Sequence, residues 1–288
     1  MNLPAGWEER MIATNGVRLH VVTAGDPGGR PVVLLHGFPE FWYGWRHQIP
    51  ALAAAGYRVI VPDQRGYNLS DVPKGAAAYR TETLVNDVLG LLDHFGCGRV
   101  RLAGHDWGAA VAWSLAIRHP ERLEKLAILN VPHPDVMWRT IRSSPRQMLK
   151  SWYIGFFQVP GLADGLLRMG QFAGARRVLR ASGGPATFSE ADLDEYRRAW
   201  ANSGGLAGMI GWYRAAVRFR AQTAGDRRVH VPVLILWGRR DVALGAGMAQ
   251  RSLELCDDGR LVYFDGATHW VQHDAAYEVN REMIAFFD

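Results

Sequence analysis

Cysteine is scarce in this chain of 288 residues, which contains only Cys97 and Cys256. Two cysteines cannot build a disulfide framework or a four-cysteine zinc site, so both are expected to be reduced thiols. Long apolar runs are also missing, because stretches such as 231–237 fall far short of the roughly 18 residues that a membrane span needs. The first ten residues include Glu8 and Glu9 and lack the apolar core of a secretion signal, so the expected location is cytoplasmic.

The composition that remains is that of a globular protein. Hydrophobic residues make up 48% of the chain and charged residues 21%, which excludes disordered, collagen-like and coiled-coil proteins. The net charge of +5 is unevenly distributed, since residues 136–228 hold 15 Lys and Arg against 6 Asp and Glu. These basic residues are spaced as on solvated helix faces rather than clustered, and nucleic acid is therefore not an expected partner.

Two different patterns divide the chain. From residue 17 to about residue 134, short apolar runs alternate with helical patterns such as 81–95 and 107–118. The continuously apolar runs at 31–35, 58–61, 100–103 and 126–129 indicate a parallel sheet covered on both faces, and the run at 17–22 is expected to be edge-like. Residues 135–228 show only helical spacing, and strand-like runs return at 233–237 and 261–264, before a final helix at 275–287. The pattern predicts an α/β core formed by residues 1–134 and 229–288, with a helical cap at 135–228.

The stretch Gly104-His105-Asp106-Trp107-Gly108 lies between an apolar strand and a predicted helix. It has the spacing of a nucleophile elbow, in which glycines permit the tight turn that lifts the central side chain out of the sheet. Asp106 occupies the position where serine is usual, and the N-terminus of a helix favours its anion. An aspartate that only caps the helix would explain Asp106 but not both flanking glycines.

A carboxylate nucleophile restricts the reaction more than a serine does. Attack on an ester would give only an anhydride, whereas attack on an sp³ carbon gives an alkyl ester that water can open. The expected substrate is therefore an alkylating electrophile. Opening the ester requires a base for water and an oxyanion hole for the carbonyl of Asp106.

Both requirements have candidates in loops that follow predicted strands. His269 is the candidate base and Asp241 the acid that orients it, in the chain order nucleophile, acid, histidine. The backbone NH groups of Phe38 and Trp107 are the candidate oxyanion donors. His273 follows His269 by four residues, but the glutamate of a zinc-protease motif is missing. No metal or cofactor is predicted, and His105 is expected to be structural.

These motifs resemble those of the epoxide hydrolase branch of the α/β-hydrolase fold over nearly the whole chain. The similar segments are HGFPE at 36–40, WRHQIPALAAAGYRV at 45–59, GHDWGA at 104–109 and THW at 268–270. The family also carries two tyrosines in its cap, in segments that resemble residues 153–161 and 212–214 here. The resemblance therefore implies that Tyr153 and Tyr213 activate an epoxide oxygen, because a neutral phenol can hydrogen-bond and protonate the alkoxide that ring opening leaves.

The resemblance implies an α/β-hydrolase fold, with a mostly parallel sheet flanked by helices and an inserted helical cap. It also implies conversion of an epoxide and water into a vicinal diol through an ester on Asp106, with a homodimer left open. The side chains expected to bind substrate are His36, Phe38, Pro39, Trp107, Trp152, Phe157, Trp212 and Trp270.

Two other classes of protein share parts of this pattern. Haloalkane dehalogenases resemble the chain in GHDWG, but they hold the halide with NH donors, one of them beside the HG motif, where this chain has Phe38. Fluoroacetate dehalogenases typically carry arginine after the nucleophile, where this chain has Trp107. A lidded protein that only binds ligands would not need a full set of catalytic residue types.

Overall fold

A computed structural model describes residues 3–219 and 226–288 and has a twisted sheet of eight strands at its centre, in the order β1-β2-β4-β3-β5-β6-β7-β8. β2 pairs antiparallel with β1 and with β4, and the remaining neighbours are parallel. The strands are β1 (Glu8–Thr14), β2 (Val17–Ala24), β3 (Arg30–Leu35), β4 (Tyr57–Pro62), β5 (Val100–His105), β6 (Leu123–Leu129), β7 (Val233–Gly238) and β8 (Gly259–Phe264).

The central strands are apolar along their whole length because helices cover the sheet. All six residues of β5 and of β7 are buried, as expected for parallel strands that are covered on both faces of the sheet. The helices are α1 (Gln48–Ala54), α2 (Thr81–His94), α3 (Trp107–Arg118), α4 (Pro134–Ser143), α5 (Pro145–Lys150), α6 (Trp152–Phe156), α7 (Leu162–Ser182), α8 (Glu190–Asn202), α9 (Ala207–Arg218), α10 (Gly247–Leu253), α11 (Val271–Asp274) and α12 (Ala276–Phe287). The predicted α/β class, with its mostly parallel sheet flanked by helices, is confirmed.

Helices α4 to α9 all lie between β6 and β7, in the segment 135–228 that is called the insertion below, except that α4 begins one residue earlier. In its described part, no residue of the insertion belongs to a strand of the sheet. α7 is kinked at Met169–Phe172, where Gly170, Gln171 and Phe172 have positive φ. The insertion thus adds a helical layer without interrupting the order of the sheet.

The expectation of an edge strand at 17–22 is wrong, because β1 pairs with residues 17–23 of β2 and takes the edge itself. β1 has a weak signal in the sequence: only Ile12 and Thr14 of its seven residues are buried. Its first residues, Glu8, Glu9 and Arg10, are charged and exposed, a composition typical of edge strands that avoid pairing with other molecules.

The parallel strands bring the predicted site residues to one edge of the sheet. β3 ends at Leu35 before the HGFPE loop, β5 at His105 before Asp106, and β7 at Gly238 before Asp241. β8 ends at Phe264, five residues before His269. Since the carboxyl ends of parallel strands meet at the same edge, four distant parts of the chain converge there.

Candidate active site

Asp106 lies in a sharp turn between β5 and α3. Its φ of 47° and ψ of −123° form a conformation that residues other than glycine rarely adopt. The turn is possible because its neighbours are small: a Cβ atom on Gly108 would overlap the backbone of Leu35 and His36. A Cβ on Gly37 would likewise overlap the side chain of Asp106. The glycines therefore allow the HGFPE loop and α3 to approach the carboxylate closely.

The two carboxylate oxygens of Asp106 have different surroundings. The backbone NH of Phe38 donates a hydrogen bond of 2.7 Å to Oδ1. Oδ2 lies 3.6 Å from Nε2 of His269, which is an ionic contact too long for a direct hydrogen bond. The NH of Trp107, at the first position of α3, has no acceptor within the helix. Burial raises the pKa of Asp106, but His269, His105 and the Phe38 amide more than offset this effect, so its pKa stays below the usual value.

His269 is held by Asp241 on its other side. Nδ1 of His269 donates a 2.7 Å hydrogen bond to Oδ2 of Asp241. Oδ1 of Asp241 accepts the backbone NH groups of Ala243 at 2.7 Å and Leu244 at 2.8 Å. Burial lowers the pKa of His269, but attraction to Asp241 and contact with Asp106 overcome this effect and raise the pKa to about 10. The imidazole is therefore a cation placed between two carboxylates.

Tyr153 and Tyr213 line the same cavity as Asp106. Tyr153 is on α6 and Tyr213 on α9, and their rings meet edge to face with centroids 5.8 Å apart. Burial, followed by the negative charge of Asp106, raises the pKa of both phenols above 10. Within residues 3–219 and 226–288, no group forms a hydrogen bond with the Tyr153 hydroxyl. Both side chains are therefore neutral proton donors at the cavity wall.

The cavity has a volume of about 630 Å³ and follows α3 from its first turn to its last. Trp107, Ala110, Ser114 and Arg118 line it along one face of this helix. At 1.5 Å per residue, α3 gives this wall a length of about 16 Å. α4 and α9 supply much of the remaining lining, through apolar side chains such as those of Met137 and Val217. The cavity thus suits an elongated, largely apolar molecule with one end at Asp106.

The predicted substrate-binding side chains fall into three groups. Trp107 lines the cavity. Phe38 and Phe157 pack edge to face on Tyr213, with centroids 5.4 Å and 4.7 Å from its ring, and Trp212 packs on Trp107 in the same way at 5.8 Å. These three aromatic residues support the side chains at the cavity wall.

The four remaining predicted substrate-binding residues have other surroundings. His36 is fully buried and accepts the backbone NH of Gln64, and the Pro39 carbonyl accepts the indole NH of Trp200 at 2.7 Å. Trp270 packs on His269, and Trp152 is 67% exposed. These four residues are not among those that line the cavity.

Asn130 is a site residue that the sequence analysis missed. It follows β6 with φ of 53°, and its side-chain amide donates to Oδ2 of Asp241 at 2.8 Å and accepts the NH of Gly238 at 2.9 Å. Asn130 therefore ties the ends of β6 and β7 together and orients the acid. The available signal was a polar residue directly after a continuously apolar strand.

A buried polar cluster below His269 was also missed. Nε2 of His105 donates to the backbone carbonyl of His269 at 2.9 Å, and Nδ1 faces the amide of Gln272 at 3.2 Å. Glu40, only 1% exposed, accepts hydrogen bonds from Tyr196 at 2.6 Å, His273 at 2.8 Å and Gln272 at 3.1 Å. A buried carboxylate is stable only with such partners. The cluster links the HGFPE loop, the loop of His269 and α8 of the insertion.

Over the described ranges, no three His, Cys, Asp or Glu side chains are arranged to hold a metal ion. In the same ranges, no helix combines the length and apolar character needed to cross a bilayer.

The chain is similar to several known proteins. Residues 30–276 match the family described as alpha/beta hydrolase fold. The chain is 43% identical to the AB hydrolase superfamily protein YfhM of Bacillus subtilis, over 96% of each chain. It is 38% identical to Epoxide hydrolase A of Mycobacterium tuberculosis, again over 96% of each. A crystal structure of a mutant epoxide hydrolase from Bacillus megaterium has a TM-score of 0.88 and 30% identity, covering 96% of this chain and 99% of that one.

The sheet, the elbow and the match over residues 30–276 define a protein of the α/β-hydrolase fold. Within that fold, the chain belongs to the epoxide hydrolase family, as its identity and coverage with Epoxide hydrolase A and with the solved structure establish.

The charge on His269 leads to a prediction about pH. Its pKa of about 10 in the folded protein lies above the ordinary 6.5, so the native state binds this proton more tightly than the unfolded state does. The resulting stabilisation is complete below about pH 6.5 and is lost as the pH rises through 10. Asp106→Asn removes one of the two negative charges, so the pKa of His269 should fall and the loss of stability with rising pH should become smaller.

Histidine NMR titration and urea unfolding between pH 6 and 11 measure both quantities. Asp257→Asn, beside the exposed His230, is the matched control and should leave the titration of His269 unchanged. Equal pKa values of His269 in wild type and Asp106→Asn would show that Asp106 does not hold the proton.

Proposed function

We propose that this protein hydrolyses epoxides to vicinal diols through a covalent ester on Asp106. The observation that carries the proposal is the pairing of an ionised carboxylate with two neutral phenols on the wall of one cavity. A nucleophile and a donor for the departing oxygen are the two groups that ring opening requires.

In the first step, Oδ2 of Asp106 attacks a ring carbon of the epoxide. Oδ1 is held by the amide of Phe38, which leaves Oδ2 as the oxygen free to form the new bond. The C–O bond of the ring breaks with its electron pair on oxygen, and Tyr153 and Tyr213 stabilise that oxygen and supply its proton. The phenol that gives up the proton regains one from solvent. The product of this step is a hydroxyalkyl ester.

In the second step, His269 takes a proton from water, and the resulting hydroxide attacks the carbonyl carbon of the ester. Ester formation removes the charge of Asp106, which is one cause of the raised pKa of His269. The first step therefore lowers the pKa of His269, so the imidazolium can release its proton to solvent and then act as a base. The NH groups of Phe38 and Trp107 receive the oxyanion, and Asp241 keeps the imidazole oriented. The bond between the carbonyl carbon and the former Oδ2 then breaks, and protonated His269 returns its proton to that oxygen. The diol leaves with the former Oδ2, and the oxygen from water stays in the carboxylate of Asp106.

The two phenols favour this reaction over dehalogenation. A halide ion leaves without a proton, so it gains little from two proton donors, whereas an alkoxide is a poor leaving group without them. The position beside the HG motif is occupied by Phe38, whose ring has no NH to hold a halide. We also propose that residues 135–228 form the cap of the active site, since they supply both tyrosines and one wall of the cavity.

His269→Gln tests the two steps separately. The variant should still form the ester on Asp106, because the first step needs no base, but it should fail to release diol. Intact-protein mass spectrometry should then show an adduct with the mass of the epoxide, in nearly stoichiometric amount. His230→Gln is the matched control, because His230 is an exposed histidine whose Nδ1 also bonds an aspartate, at 2.6 Å.

The control should turn over like wild type and accumulate no adduct. Normal turnover by His269→Gln, or no alkylation under conditions that alkylate wild type, would contradict the assigned role.

A further inference from the structure

The insertion carries a concentration of exposed apolar side chains on α5, on α6, in the turn after α6 and on the first half of α7, called the apolar ridge below. Fourteen large hydrophobic residues are exposed among those described, and six of them lie in the 21 residues from 149 to 169. Scattered exposed apolar residues are normal, but a concentration of this kind marks an interaction surface. The ridge consists of Leu149, Trp152, Val159, Leu162, Leu166 and Met169.

The segment that forms the ridge also carries Tyr153, which lines the cavity. Leu149, Trp152 and the partly buried Phe156 follow helical spacing along α5 and α6, and Leu162, Leu166 and Met169 follow it along the first half of α7. Trp152 packs on Phe156 with centroids 5.9 Å apart, and Phe157 on the inner side is buried at 5% exposure. The inward-facing side chain of Phe157 thus packs within the fold, whereas the side chains of the ridge remain exposed in the described chain.

The charge around the ridge is mostly positive. Residues 136–168 contain five Lys and Arg and one acidic residue, Asp164. Arg142 and Arg146 are exposed beside Leu149, and neither forms an ion pair within the part of the chain that the structure describes. At the other end, Arg168 is 49% exposed and contacts Asp164 at 3.6 Å. The ridge is therefore apolar with a basic rim.

We propose that the apolar ridge docks on the surface of an anionic lipid bilayer. Apolar and indole side chains insert at the level of the head groups, while arginines on the rim meet the lipid phosphates, which is the composition that interfacial segments use. Trp152, at 67% exposure, is suited to this boundary because an indole has an apolar body and one NH donor.

A second copy of the chain fits this surface less well. A symmetric dimer would place each patch against its own equivalent, so a patch of net positive charge would face another patch of the same sign. Like charges in an interface oppose association. An anionic bilayer instead carries the charge opposite to that of the ridge. The proposal does not depend on the reaction at Asp106.

Flotation with vesicles tests the proposal directly. At low ionic strength the protein should float with phosphatidylcholine–phosphatidylglycerol vesicles and far less with pure phosphatidylcholine vesicles, and added salt should release it. Leu149→Glu combined with Leu162→Glu should weaken binding at least about tenfold, because two buried apolar side chains are lost. Arg142→Gln combined with Arg146→Gln should weaken it about 25-fold, from roughly fivefold for each charge.

Matched variants outside the insertion control for charge and exposure. Tyr277→Glu, at a residue 76% exposed on α12, and the pair Arg251→Gln with Arg281→Gln should bind like wild type. Brominated lipids should quench the fluorescence of Trp152, and this part of the quenching should disappear in Trp152→Phe. Thermal melts confirm that each variant is folded.

Three results would overturn the proposal. They are absence of flotation with anionic vesicles, flotation that the control substitutions weaken as much as the ridge substitutions, and a solution dimer that Leu149→Glu with Leu162→Glu dissociates. The last result would assign the ridge to self-association.

Discussion

Asp106→Ala is expected to lower the rate of epoxide hydrolysis by about 10⁴- to 10⁶-fold, the loss seen when the nucleophile of a covalent hydrolase is removed. The reason is that, among the residues that the structure describes, no other carboxylate lines the cavity, so neither the ester nor its hydrolysis can proceed. Diol formation by gas chromatography measures the rate. Ser114→Ala, a change in a polar side chain on the same wall of the cavity, is the matched control and should change the rate only slightly.

Isotope labelling decides whether Asp106 forms the ester. In a single turnover in ¹⁸O-water, the label should enter the carboxylate of Asp106, because water attacks the carbonyl carbon and the diol departs with the original Oδ2. Peptide mass spectrometry locates the label. Label in the diol alone after one turnover would mean that water attacks the epoxide directly and that Asp106 is not a nucleophile.

The double variant Tyr153→Phe with Tyr213→Phe is expected to be almost inactive on epoxides. Each single variant should slow alkylation by about 10- to 10³-fold, the range for loss of one positioned acid or oxyanion donor. The double variant should lose nearly all of the hydrogen bonding and proton donation that stabilise the epoxide oxygen during ring opening. Stopped-flow measurement of the alkylation rate distinguishes this step from ester hydrolysis.

Tyr57→Phe controls for the loss of a buried phenol. Its hydroxyl bonds Asp288 at 2.8 Å, so this change should reduce stability but leave alkylation intact. Halide release from haloalkanes should change only modestly in the double variant, since a halide needs no proton. Epoxide opening near the wild-type rate in the double variant, or halide release faster than diol formation in wild type, would favour the dehalogenase interpretation.

The parts of the structure that the sequence predicts are those with a local pattern. The helix expected at 107–118 is observed as Trp107–Arg118, because the glycines of the elbow and the apolar strand before it define its start. His269 lies near both Asp106 and Asp241, as the placement of each residue after a parallel strand indicates. Such positions follow from the alternation of strands and helices, which needs no knowledge of distant contacts.

The parts that could not be predicted depend on contacts between distant positions. Asn130 acts on Asp241, 111 residues later, and one polar residue after a strand does not reveal its partner. Glu40 bonds Tyr196 and His273 across 156 and 233 residues. The exposure of Trp152 beside the inward-facing Tyr153 was equally hidden, because short helices joined by turns do not keep a single helical phase.

The contacts of α8 with the HGFPE loop limit which insertions can be exchanged between members of this family. Tyr196 and Trp200 hydrogen-bond Glu40 and the carbonyl of Pro39, next to the Phe38 amide that holds Asp106. The insertion is therefore not a cover that can be exchanged as an independent module. A chimaera that joins this core to the insertion of another hydrolase would retain the loop but lose its anchors, unless the graft brings a phenol and an indole to the same two positions. Compatible parents are those in which core and insertion changed together.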